Sequence, residues 1–246
     1  MASIPEDARQ TPPTMMSVLA VDALYYNAAR DAQQEAGNCT RHIDRAEGRV
    51  NSLQRRIDAL SHSPDGEEDT QLAWKNYSKL EPLYIQIEGA EYNLGEAYGP
   101  MLQHLATVHI LSAASAEAHI NIRAQASLHG RDWDAFERLS IDAKWLFFPK
   151  LLGLVGFDPG VQPFQGFDSL LKIRNRLVHY RVHKEPWDSP GVPEFLGVLG
   201  LNLELGLRSL NAVRGMIAEL ARQLKEDAPH WLDRPQANFF EISLDK

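Results

Sequence analysis

The stretch VLAVDALYYNAARDAQQEAGNCTRHIDRAEGRVNSLQRRIDAL, residues 18–60, decides the fold. Within it Val18, Asp22, Tyr25, Ala29, Ala32, Ala36, Cys39, Ile43, Ala46, Val50, Leu53, Ile57 and Leu60 succeed one another at alternating steps of four and three. That is a heptad seam, flawed only at Asp22, and it predicts one long helix with a single sticky side. Order is expected to begin near Met15, because residues 1–14 carry Pro5, Pro12 and Pro13 without an apolar period and read as a loose leader. Residues 61–70, SHSPDGEEDT, have the composition of a chain reversal. Leu80, Leu83, Ile87, Ala90, Leu94 and Ala97 then return the seam, so residues 15–98 form an antiparallel helical hairpin, kinked at Pro82. Gly37, Gly48, Gly89 and Gly95 fall inside these helices at about 1 kcal/mol each relative to Ala, and close helix packing would explain them.

Working outward, Gly99-Pro100 breaks or kinks the path, with Pro100 placed as a first-turn residue of a new helix that runs to about Leu128. Asp132 caps a further helix over 133–147, and the Gly-, Pro- and Phe-rich residues 149–167 read as an ordered loop pinned by aromatic anchors. Asp168 or Ser169 caps a helix reaching Val182, residues 186–193 are irregular, and a last helix spans 195–226. Only residues 238–244, in a tail from 229 to 246, suit extended structure. The expected fold is all-α: a helical domain over 99–228 carrying the hairpin as an arm.

An apolar content of 44% beside 24% charged residues is that of a folded globular chain. No apolar run approaches the roughly 18 residues needed to cross a bilayer. The polar, acidic start lacks the features of a secretory signal, so a cytoplasmic protein is expected. The single Cys39 cannot form an internal disulfide, and is either a small core residue or a nucleophile. A net charge of -8 argues against general coating of nucleic acid. The distribution matters more than the sum, because residues 169–184 hold Lys172, Arg174, Arg176, Arg181, Lys184, His179 and His183 and no acid. This is either a solvated helix face or a basic, RNA-facing one, with Tyr180 beside it.

Within LLKIRNRLVHYR, residues 170–181, Arg174, Asn175 and His179 fall on one predicted helix. Asn175 and His179 share a face, whereas Arg174 is turned by about 140° from His179 at roughly 100° per residue. Its long side chain must reach around, or the pair must be completed from another chain. Arginine offers a permanently charged fork for phosphate, and histidine moves protons near neutrality. Together they suit metal-free cleavage of RNA, in which the 2'-hydroxyl attacks the adjacent phosphorus. Asn175 would orient the imidazole or hold the phosphate.

The same stretch resembles the HEPN family of helical ribonucleases, whose pattern of Arg, a polar residue, three variable positions and His is met by Arg174, Asn175, residues 176–178 and His179. The resemblance continues in SAEAHIN (115–121), KWLFFPKLL (144–152), and GFDPG with PFQ (156–165). It implies a homodimer in which two motifs meet in one cleft, no cofactor, a role as toxin or phage-defence effector, and an antitoxin or sensor partner. It also implies that Glu117 and Asn121 face the motif helix from an earlier one. The family's toxins often carry a Tyr two residues after the His, where this chain has Arg181. The alternative is a HEPN-like scaffold that binds nucleotides or proteins without cutting.

His104, His109, His119 and His129 have no metal-ligand spacing. Trp133, Trp145 and Phe147 could stack bases but have the spacing of core residues. No GxGxxG, P-loop or GxSxG motif is present.

Overall fold

A computed structural model describes residues 15–61, 70–182 and 194–244. The leader, the reversal at 62–69, the irregular stretch at 186–193, His183 and Lys184 lie outside the described residues.

The elements are β1 (Met15–Leu19), α1 (Val21–Ser61), α2 (Thr70–Gln125), α3 (Arg131–Glu137), α4 (Ile141–Leu151), α5 (Phe164–Val178), α6 (Glu194–Val198), α7 (Leu203–Leu224), a 3-10 turn (His230–Leu232) and β2 (Phe240–Leu244). Among the described residues the chain is all-α apart from one two-stranded ribbon. No helix among the described residues is long and apolar enough to cross a membrane.

The seam forms the expected hairpin. Residues rising along α1 meet residues falling along α2: Leu53 and Ile57 pack with Leu83, Ile87 and Ala90, and Ala36 and Ile43 pack with Met101 and Leu105. Three expectations need correction. Val18 is not in the helix, because β1 pairs antiparallel with β2, Met15 opposite Leu244 and Leu19 opposite Phe240. The extended tail expected near 238–244 thus finds its partner in residues first assigned to the seam. Gly99-Pro100 does not start a new helix, since α2 is continuous through Pro82 and Pro100 over 56 residues, about 85 Å. A proline ring clashes with the Cβ of a helical residue before it, and Gly99 has none. Close packing does not explain Gly37, Gly48, Gly89 and Gly95, as a Cβ at any of them would meet nothing within 4 Å.

Beyond the hairpin, the helix expected over 133–147 is two pieces, α3 and α4, parted around Ser140. Gly130, not Asp132, precedes α3. The aromatic loop is as expected: Phe157 packs edge-on against the fully buried Trp145 at 5.6 Å, and the Gln223 side chain bonds both the N–H and the carbonyl of Gly156. Trp145 is therefore core, Trp133 packs on Phe136, and Phe147 is half exposed. The last helix is interrupted at Gly200, whose φ of 76° suits a residue without a side chain. Asn202 then caps α7 by accepting from the Leu205 N–H at 2.9 Å.

Asp22, the flaw in the seam, is buried. Its carboxylate accepts from the Ala23 N–H and from Nδ1 of His119 at 2.8 Å, and its carbonyl accepts from Ser115. His119 stacks on Trp145 and meets the edge of Trp231. A polar latch therefore fixes the register of α1 on α2 at the domain end.

The open space around Gly37 and Gly48 contrasts with Gly215, where a Cβ would come within 2.9 Å of Pro163 Cβ. Gly37→Ala and Gly48→Ala are expected to stabilise the protein by about 0.5–1 kcal/mol each, and Gly215→Ala to destabilise it. Urea midpoints check this, and a lowered midpoint for the first two would contradict it.

Candidate functional site

The apolar stripe of α5 begins a turn earlier than expected, with Phe164 and Phe167, and neither Asp168 nor Ser169 caps it. Asp168 instead pairs with Lys172 at 2.6 Å, one turn on, and the Ser169 hydroxyl donates to the Gln165 carbonyl. Phe164, Phe167, Leu170, Leu171 and Ile173 are buried, with the Phe164 and Phe167 rings 6.0 Å apart and Phe167 against Trp145. One face of the helix is thereby locked into the core, and its last turn emerges carrying the motif.

The helix stops at Val178, short of the expected Val182. His179 is its cap: the His179 N–H still bonds the Asn175 carbonyl at 2.9 Å, but ψ of 44° takes the chain out of the helix. His179 therefore stands one turn above Asn175, as the spacing implies, and is exposed. Arg174 is half-buried, and its Nη1 donates to Oδ1 of Asn175 at 3.0 Å. Asn175 thus holds the guanidinium rather than the imidazole.

The flanking basic residues divide. Lys172 is engaged by Asp168, and Arg176 donates to the Val198 carbonyl at 2.8 Å, tying α5 to α6. Tyr180 and Arg181 are exposed beyond the helix end. Glu117 does not turn to α5: it accepts from Nζ of the buried Lys144 on α4 at 3.0 Å. Oδ1 of Asn121 is buried without a hydrogen-bond partner. Glu117 therefore serves the α2–α4 contact. Among the described residues no group of His, Cys, Asp and Glu has the arrangement of a metal site.

The spacing of histidines did not reveal the part His109 plays. It is fully buried, with Nε2 2.7 Å from the Gly200 carbonyl and Nδ1 2.9 Å from Oγ of Ser209. A carbonyl only accepts, so Nε2 carries the proton and Nδ1 accepts from the Ser209 hydroxyl. The bond clamps the Gly200 turn, where a Cβ would lie 2.7 Å from Cγ2 of Ile173 on α5. His109 therefore positions the motif helix through that turn. The available signals were Gly200 and Ser209, which become meaningful only once α2 and α7 lie side by side. A groove of about 820 Å³ runs between α5 and α7, bordered by Asp168, Ser169 and Arg208.

No protein-family model matches the chain, and neither a curated protein nor a solved structure matches it significantly.

Burial holds the His109 imidazole below its usual range, partly offset by the bond to Gly200. The unfolded chain then takes up a proton near pH 6.5 that the folded chain refuses, so stability is full above that pH and falls below it. The expected loss is up to about 1.4 kcal/mol per pH unit from this residue. Urea melts at pH 7.5, 6.5 and 5.5 should show a part of this slope that vanishes in His109→Phe. An identical slope in the variant would contradict the assignment.

Proposed function

We propose that the chain is a metal-independent endoribonuclease whose working groups are Arg174 and His179. The observation that carries the reading is their presentation: a guanidinium and an exposed imidazole on the final turn of a helix whose opposite face is fixed in the core. A packing role for His179 would require burial, which the exposed side chain does not have. The HEPN-like pattern of the stretch supports the same reading.

In this scheme His179 takes the proton from a ribose 2'-hydroxyl, or returns one to the leaving 5'-oxygen. Arg174 stabilises the charge that builds on the phosphoryl oxygens. The phosphorus–oxygen bond to the 5'-oxygen breaks as the bond to the 2'-oxygen forms, leaving a 2',3'-cyclic phosphate. DNA, without the hydroxyl, is not cut. Arg174 is drawn sideways by Asn175, so the pair is completed across a homodimer, Arg174 of one chain serving with the partner copy's His179. A ribonuclease of this kind acts as a toxin or phage-defence effector, and an inhibitor or sensor partner holds it in check.

His179→Ala should lower cleavage of total or transfer RNA by at least about 100-fold, with an unchanged far-ultraviolet circular dichroism spectrum. EDTA should have no effect, and the products should carry cyclic phosphate ends. Equal cleavage by the variant would overturn the assignment.

A further inference from the structure

The arm has a chemically distinct face that the cleavage chemistry leaves unused. Along α1, His42, Arg45, Arg49, Ser52 and Arg56 succeed one another at steps of three and four, and all are exposed. This spacing puts them on one line, with Arg45 and Arg49 about 6 Å apart along the axis and Arg56 about 10 Å further. None of the three arginines has an ion pair or hydrogen bond to a described residue. The acid nearest in kind, Glu47, is already held by the Tyr98 hydroxyl at 2.7 Å; burial and this carboxylate push that phenol up to about 12. Asp44 lies off the line by helical geometry.

Beside the line is an open groove of about 500 Å³, with His42, Arg45 and Arg49 on one wall and Asn93 and Glu96 on the other. Unpaired guanidinium groups in a row beside an open groove are the furnishing of a surface that follows a phosphate backbone. One carboxylate, Glu96, opposes this. The groove also leads somewhere: Cys39 and Ala97 at its root pack in one cluster with Leu201, which follows the Gly200 turn seated on Ile173 of α5.

We propose that this face of the arm binds RNA through its sugar-phosphate backbone and leads the strand toward the end of α5. The destination rests on the ribonuclease reading, whereas the binding does not. An arm of this kind answers a difficulty of the whole molecule, whose net charge of -8 repels RNA unless a local basic track receives it.

The test measures anisotropy of a fluorescein-labelled single-stranded RNA with the full chain, in a His179→Ala background that keeps the strand intact. Arg45→Gln/Arg49→Gln/Arg56→Gln should weaken binding by about tenfold or more and make the slope of log affinity against log salt shallower by about 2. Arg131→Gln/Arg138→Gln/Arg234→Gln removes the same charge elsewhere and should change affinity less than about twofold. Gln keeps helix propensity close to that of Arg, so the circular dichroism spectrum should not move. Unchanged affinity in the arm variant, equal losses in both variants, or no RNA binding by the parent would overturn the proposal. Poly-glutamate displacing the RNA at equal concentration would also overturn it, assigning the face to an acidic protein. Arm-dependent binding by a chain that, with His179 restored, cuts nothing would uphold this proposal while defeating the ribonuclease reading.

Discussion

The turn at Gly200 is the constraint on which the geometry of the motif depends. Its left-handed backbone lets Ile173 approach to a distance that any side chain would forbid, and its carbonyl is held by the buried proton of His109. Arg176 adds a bond from α5 to the Val198 carbonyl just before the turn. The helix that carries Arg174 and His179 is therefore fixed on two sides: by its aromatic face against Trp145 and by its last turns against this loop. The remaining side is the one that faces solvent, and it presents the residues of the proposed cleavage, with Asn175 and His179 exposed.

α2 connects that site to the rest of the molecule. The helix contributes the latch of His119 and Ser115 to Asp22 and the clamp of His109 to Gly200. Further along it lines the groove with Asn93 and Glu96. Because it is continuous through Pro100, these stations lie along one helix. Leu201, packed in the cluster at the arm root, directly follows the turn that Ile173 approaches.

The sequence made periodic features legible and left tertiary ones hidden. The hairpin followed from the three-and-four spacing, the aromatic pinning of 149–167 from its Phe residues, and the motif helix from its apolar stripe. Val18 was misplaced because β pairing with the distant residue Glu241 overrides a seam that local spacing alone extends too far. Gly99-Pro100 suggested a break because proline usually ends helices, although the glycine before it removes one source of strain, the clash of the ring with a preceding Cβ. Glu117 was directed to the wrong neighbour, since its spacing fixes a face of α2 but not which helix lies against that face. His109 was unreadable for a related reason: both its partners are about a hundred residues away.

The central claim, that Arg174 of one chain works with the partner copy's His179, is tested most directly by complementation. Arg174→Ala and His179→Ala chains, each inactive alone, are unfolded together and refolded as a mixture. Half of the dimers then pair unlike chains, and each of these holds one intact cross-chain site, so cleavage should return to about a quarter of the wild-type rate. A mixture as inactive as its components would contradict the claim.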